Sequence, residues 1–247
     1  MLRVALVTSS HDAPVVHYAR RLLPHLRELS RVDVFAAGDQ AAFEGALDPR
    51  ELDPGAYERI VYQLANEGPH AFMLPLVRAH GGTVVLHDWY LHEPVARAYP
   101  AWSAGGWRGV LLALREGGVA AAREYARARG AGEPPVVPVN RSVVRLADSF
   151  LVHARWMRER IVDERNAATP VGVVWDAAEE LGPDLGRRVA RSLLCGEADW
   201  AALARRYLEH LERFPSHRSN RKSLIRTAIE ASDRMRAAAR AREEGPG

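Results

Sequence analysis

The feature that most constrains the fold is a regular alternation of strand-like and helix-like segments over the first 175 residues. The segment RVALVTSS (3–10) is a continuous apolar run, which is typical of a strand buried on both faces of a parallel sheet. Strands are predicted at 3–10, 32–37, 58–65, 83–88, 149–154 and 171–175, and helices at 14–29, 70–80, 105–130 and 155–167, the third of them broken at Gly117-Gly118. This alternation predicts an α/β fold with a Rossmann-like, doubly wound parallel sheet.

The chain changes character after Trp175, because strand patterns stop there. Three helices are predicted, at 184–195, 197–213 and 219–242. We therefore predict a Rossmann-like domain over residues 1–175 and a helical C-terminal extension over 176–247. The middle helix carries an apolar stripe that needs a surface to cover it, so the extension is expected to pack on the domain.

Composition narrows the class of protein. The single cysteine, Cys195, excludes an intrachain disulfide and fits a reducing cytoplasm, where we expect the protein to reside. No apolar run approaches the ~20 residues of a membrane-spanning helix. The net charge of +3 gives no reason to expect nucleic-acid binding. The densest basic cluster is HRSNRK (217–222), interpreted as a solvated helix start or as a contact with anionic lipid or phosphate, so peripheral membrane contact stays open.

Polar side chains gather where the predicted strands end. The four strand ends are SSHD (9–12), ANEGPH (65–70), LHD (86–88) and VHARW (152–156). Because the carboxyl ends of parallel strands meet at one edge of a sheet, we expect these groups to converge there. His87 would be a neutral imidazole that accepts or shares a proton and is oriented by a nearby acid, unless His87 and Asp88 only end the strand.

Other kinds of site are less well supported. His87, Asp88, His92 and His11 could supply metal ligands, but no HExxH motif or HxH pair is present, and metal is not favoured. His92 and Glu93 are interpreted as surface or capping groups. The sequence lacks G-x-S-x-G, a G-x-G-x-x-G after the first strand, and a P-loop, so it gives no support for a serine hydrolase, a tight NAD site or a P-loop enzyme.

Three segments together resemble a known family. The segment IVYQLANEGPHAFMLPLVRAHGGTVVLHDWYLHE (60–93) resembles the acceptor-side domain of family-4 glycosyltransferases of the GT-B fold. The segment VPVNRSVVRLADSFLVHARWMRERI (137–161) is similar to a later part of that domain, in which a helix leads to a strand ending in Val-His. The segment LVTSSHDAPVVHYARRLLPHL (6–26) is similar to its opening strand, loop and first helix. The resemblance covers roughly residues 1–165.

The resemblance implies retaining transfer of a sugar from a nucleotide-sugar donor to an acceptor, with no metal or other cofactor. His87 matches the histidine next to the reacting sugar, and Asp88 stands beside it, so both are candidate catalytic residues. The other matched residues are expected to bind substrate: His11, Asp12, Asn66, His153, Arg155 and Trp156.

Two departures from the family pattern shape the hypothesis. Ala13 and Pro14 stand where the family has a glycine-bearing loop that approaches the donor. No segment resembles the donor-binding domain with its paired glutamates. We therefore interpret the chain as a single half of a GT-B fold that needs a separate donor-binding chain. The alternatives are a non-catalytic glycan- or partner-binding protein derived from a glycosyltransferase, and a stand-alone hydrolase or metal enzyme.

Overall fold

A computed structural model describes residues 1–38, 42–174 and 199–214. Six parallel strands form one sheet in the order β2-β1-β3-β4-β5-β6. The strands are β1 (Arg3–Ser9), β2 (Arg31–Ala37), β3 (Arg59–Leu64), β4 (Thr83–Leu86), β5 (Ser149–Val152) and β6 (Val171–Val173). This architecture confirms the predicted Rossmann-like α/β fold.

Eight α-helices surround the sheet within the described residues. They are α1 (Pro14–Leu29), α2 (Met73–His80), α3 (His92–Ala98), α4 (Pro100–Ala104), α5 (Gly106–Gly130), α6 (Arg141–Leu146), α7 (Arg155–Glu164) and α8 (Trp200–Arg213). Short 3-10 turns occupy Pro49–Glu51, Pro54–Ala56 and Gly68–Phe72. The helices predicted at 184–195 and 219–242 lie outside the described residues. None of the helices that the structure describes is long and apolar enough to cross a membrane.

Local chemistry explains where several helices begin and break. The helix predicted from residue 70 begins as a 3-10 turn and becomes α-helical only at Met73. Pro75 is tolerated because the first turn of a helix has no partner for its N–H groups. The break predicted at Gly117-Gly118 is present: Gly118 adopts φ 80° and ψ −170° inside α5, a conformation open to glycine but rarely to other residues.

The two faces of the sheet are covered by different parts of the chain. Helices α2 to α7 and the loops between them pack on one face, and α1 and α8 pack on the other. The connections from β3 to β6 thus run over the first face. On the second face, Val61, Val85 and Leu151 belong to the same buried apolar cluster as α1 and α8, and this burial is the kind that drives folding. Helix α8 packs alongside α1, close to the bounds predicted for it.

The sheet topology creates a crevice for a ligand. Strand β1 lies between β2 and β3, so the chain winds in opposite directions on either side of it. Ligands of open α/β sheets bind outside the carboxyl ends of the strands beside such a switch point. The register pairs Leu64 with Leu86 and Leu86 with Val152, so β3, β4 and β5 end side by side. The residues that follow these strands therefore share one edge.

Candidate functional site

Two histidines meet at the carboxyl edge of the sheet. His87 follows β4 and His153 follows β5, and their ring centroids are 4.8 Å apart at an interplanar angle of 33°. Side chains alternate between the faces of a strand, so His87 lies on the same side as Val85 and His153 on the same side as Leu151. Both apolar residues belong to the α1 and α8 face. Strand register and alternation together bring two residues 66 positions apart into contact.

Gln63, on β3, fixes the orientation and the tautomer of His87. Its side chain is fully buried and shares the α1 and α8 face, two residues after Val61. Gln63 Oε1 lies 2.7 Å from His87 Nε2. Because an amide oxygen can only accept, Nε2 carries the proton and Nδ1 is left as an acceptor. The group that orients His87 is therefore an amide, and not the acid that the sequence led us to expect.

Both histidines are held in the neutral form. Burial holds the pKa of His87 well below its usual value, and the neighbouring His153 and His70 lower it further. Burial lowers the pKa of His153 to about 4. A charged imidazole would be poorly solvated here, so both rings are uncharged at neutral pH. They can exchange hydrogen bonds with a ligand but give it no positive charge.

His153 has hydrogen-bonding capacity that its protein neighbours do not use. Its side chain is only 7% exposed, and neither ring nitrogen has a hydrogen-bond partner among the residues that the structure describes. A neutral imidazole carries one donor and one acceptor, and leaving both unpaired in a buried place is costly. Because both ring nitrogens are enclosed by the protein, a polar molecule can pair with them only if the residues around the ring shift.

An aromatic wall closes the site on the side of α1. The Tyr18 ring stands edge-on to His87, with centroids 5.0 Å apart, and to His153, with centroids 5.3 Å apart. The Tyr18 hydroxyl lies 2.6 Å from the hydroxyl of Tyr207 on α8. Burial raises the pKa of both tyrosines above their usual value, so the pair stays protonated. Helix α8 therefore contributes to the wall behind the histidines.

Asn66 and Asp88 join the loops that border the site. The backbone N–H of Asn66 donates to Asp88 Oδ2 at 2.9 Å, and the backbone N–H of Glu93 donates to Asn66 Oδ1 at 3.0 Å. Asn66 Nδ2 lies 3.3 Å from a ring nitrogen of His92. These bonds tie the turn after β3 to the turn after β4 and to the start of α3. In this structure Asp88 and Asn66 position backbone, and His92 and Glu93 serve the same network.

A histidine and a glutamate lie close together in the turn after β3. His70 is fully buried, and the backbone N–H of Ala65 donates to its Nδ1 at 2.8 Å, which leaves the ring proton on Nε2. That nitrogen lies 3.6 Å from Glu67 Oε2. Burial raises the pKa of Glu67, and the charges of Asp88 and Glu93 raise it further. Burial lowers the pKa of His70 to about 4.

The remaining predicted site residues lie on exposed segments. His11 and Asp12 are in the loop between β1 and α1; the backbone N–H of His11 donates to Ser9 Oγ, and Asp12 pairs with His17 at 3.0 Å. Arg155 and Trp156 begin α7 and are exposed. Trp156 packs edge-on against the buried Trp89, with ring centroids 6.3 Å apart.

Sequence reasoning missed some contributors that a polarity pattern could have revealed. Gln63 interrupts the apolar run IVYQLA, and Glu67 and His70 follow the end of the same strand, although nothing in their spacing indicates a role. Tyr18 and Tyr207 gave no such signal, because each belongs to an amphipathic helical stripe. Among the described residues, no group of three or more His, Cys, Asp or Glu side chains is placed to hold a metal ion.

Comparison of the sequence with models of known protein families gives no match, and comparison with curated proteins gives none either. The resemblance to family-4 glycosyltransferases therefore stays a prediction. The two neutral rings can hydrogen-bond to a polar ligand but provide no positive charge to hold an anion. Neutral rings with both donor and acceptor atoms match hydroxyl groups, which donate and accept in turn.

Proposed function

We propose that this chain binds a sugar at the carboxyl edge of its sheet and works as the acceptor-side part of a glycosyltransferase. The observation that carries the proposal is the arrangement of Gln63, His87 and His153. Among the residues that the structure describes, none pairs with Nδ1 of His87 or with either ring nitrogen of His153. Gln63 lies on β3, which borders the switch point between β1 and β3, and the two rings follow the next two strands, β4 and β5.

The role of His87 is to hold a sugar hydroxyl. The Nε2 proton of His87 faces Gln63, so Nδ1 is left to accept a hydrogen bond from the sugar hydroxyl. This bond fixes the orientation of the sugar ring. Its lowered pKa makes it a poor proton acceptor at neutral pH, so positioning, and not full proton removal, is the contribution assigned to it. Asp88 acts indirectly, because it secures the turn at Asn66.

The donor phosphates are assigned to a separate chain. The loop between β1 and α1 carries Asp12, whose negative charge disfavours phosphate, and Pro14 removes one of the amides of the helix start. A partner that holds the nucleotide would have to supply the positive charge that stabilises the leaving phosphates. The proposed reaction is therefore glycosyl transfer shared between two polypeptides.

A non-catalytic glycan-binding protein is the second candidate. The observation that favours it is the lowered pKa of His87, because a site selected only for binding has no need of a proton acceptor near neutrality. In that case the same hydrogen bonds would hold a glycan without transfer. The two candidates share the binding site and differ in whether addition of a donor-binding chain produces a new glycosidic bond.

Calorimetric titration tests both the site and the division of labour. The chain is titrated with a panel of mono- and oligosaccharides and, separately, with UDP- and GDP-sugars. We expect a saccharide to bind and His87→Asn to weaken it by about tenfold, which corresponds to the loss of one hydrogen bond. His25→Asn, on α1, is the matched control and should bind like the wild type.

Two results would contradict the proposal in different ways. Tight binding of a nucleotide sugar by this chain alone would contradict the need for a separate donor-binding chain. Equal saccharide affinities for His87→Asn and the wild type would remove His87 from the site.

A further inference from the structure

An exposed apolar stripe runs along the first half of α5. Trp107 is 68% exposed, Leu111 51% and Leu114 40%. Their spacing of four and three residues places all three on one side of the helix, opposite the buried Leu112 and Ala113. Single exposed apolar residues are ordinary, but three large apolar side chains on one helical face indicate a surface that binds another molecule.

The charges around this stripe are of one sign. Arg108 and Arg115 lie on the same half-helix, and the Arg108 guanidinium stands 5.4 Å from the centre of the Trp107 ring. Between residues 94 and 123 the sequence contains a single acidic residue, Glu116. Glu116 is only 2% exposed, because Ser142 and Arg115 bond its carboxylate. The surface of this segment therefore shows arginines and apolar side chains but no exposed carboxylate.

The half-helix is also set apart by its ends. Gly105 and Gly106 have positive φ values at its start, and Gly118 has one at its end. Residues 106–117 thus form a unit of about three turns, which can lie along a flat surface at an angle of its own.

We propose that residues 106–117 form a membrane-surface helix that lies on an anionic lipid bilayer. Trp107, Leu111 and Leu114 enter the boundary between headgroups and acyl chains, and Arg108 reaches lipid phosphates from the side of the helix, whereas Arg115 stays paired with Glu116. The proposal is independent of the sugar site and of the proposed transfer reaction.

Charge decides between a bilayer and a second copy of this chain. A symmetric dimer through this face would bring Arg108 of one protomer towards Arg108 of the other, with no exposed carboxylate in residues 94–123 to pair with either. Anionic lipid headgroups supply the missing negative charge, with a contribution from each arginine near the surface. The apolar and basic character of the stripe thus fits an anionic bilayer better than its own copy.

Vesicle flotation tests this surface directly. The full chain is mixed with vesicles of phosphatidylcholine alone, or of equal parts phosphatidylcholine and phosphatidylglycerol. We expect partitioning onto the anionic vesicles and much less onto the neutral ones. Leu111→Asp should weaken it by at least about tenfold, since it places a charge where an apolar side chain enters the bilayer. Arg108→Gln should weaken it by roughly fivefold, the share of one basic residue.

Two control variants separate this surface from others. Trp156→Ser removes another exposed tryptophan and should leave partitioning unchanged. A variant with Arg218, Arg221 and Lys222 all changed to Gln removes the basic cluster at 217–222 and should retain the requirement for Leu111. Circular dichroism verifies that every variant keeps its helix content.

Several outcomes would overturn the proposal. Partitioning of Leu111→Asp equal to that of the wild type would exclude the stripe as the contact, as would binding lost only in the 217–222 variant. A wild-type dimer in sedimentation that Leu111→Asp converts to a monomer would assign the stripe to self-association. Equal partitioning onto neutral and anionic vesicles would contradict the role of Arg108.

Discussion

Removal of the Tyr207 hydroxyl is expected to destabilise the protein, because it leaves the Tyr18 hydroxyl buried without its partner. The two oxygens lie 2.6 Å apart, and Tyr207 is fully buried and Tyr18 nearly so. The bond joins α8 to α1 across 189 positions of sequence. It therefore reports on the docking of the C-terminal helix as well as on the wall behind the histidines.

The magnitude follows from the asymmetry of buried hydrogen bonds. A buried hydroxyl that loses its partner costs about 1–3 kcal/mol, whereas removal of both partners together is nearly neutral. Tyr207→Phe alone should lower the free energy of unfolding by about 1–3 kcal/mol. The double variant Tyr18→Phe/Tyr207→Phe should be less destabilised than the sum of the two single variants, with a coupling energy of about 1 kcal/mol or more.

Urea unfolding, followed by circular dichroism, measures these values. With m of about 1–3 kcal/mol/M, the single variant should shift the midpoint by on the order of 1 M at unchanged slope. Tyr90→Phe, whose hydroxyl lies on an exposed side chain, is the matched control and should show no shift. Strictly additive effects of the two single substitutions would contradict this prediction, since they would mean that the hydroxyls do not interact.

Two further predictions concern stability. Gly82→Ala should lower the free energy of unfolding by at least about 1–3 kcal/mol in chemical denaturation, because Gly82 has φ +104° and a Cβ there would lie 2.8 Å from the Ile60 carbonyl oxygen. Gly105→Ala, with positive φ but open space, should cost less. Burial lowers the pKa of three histidines to about 4: His70, His153 and His210. In the unfolded chain the histidine pKa is near 6.5, so between pH 6.5 and 4 the unfolded state binds more protons than the folded state. The contribution of these histidines to the free energy of unfolding is therefore complete above about pH 6.5 and falls as the pH is lowered towards 4. Urea unfolding at pH 7 and pH 5 should show the decrease, and a smaller decrease for His210→Asn; equal stability at both pH values would contradict it.

The fold could be predicted from the sequence because buried parallel strands need continuous apolar runs. The apolar runs RVALVTSS and TVVLHD predict β1 and β4, and the glycine pair at 117–118 predicts the break in α5. The short helices α3 and α4 were harder to predict. Each spans at most seven residues and contains a proline, so tertiary contacts and not periodicity define them.

The site could be predicted only in part. Strand-end histidines were expected at one edge, and the parallel register does place His87 beside His153. The contact with Gln63 depends on which face of β3 the side chain takes, which the hydrophobic run alone does not reveal because both faces are apolar. Tyr207 depends on the docking of a helix far along the chain, and pattern reasoning does not provide such long-range contacts.

NMR of the histidine ring nitrogens tests whether this edge of the sheet binds a sugar, with the His87 signals assigned through His87→Asn. At neutral pH we expect His87 and His153 to be uncharged and His87 to be protonated at Nε2. A saccharide selected by calorimetry should shift the Nδ1 signal of His87 and the signals of His153 but not those of His25. A charged His87, or signals of both rings that stay in place at saturating saccharide, would contradict the assignment of this edge as a sugar site.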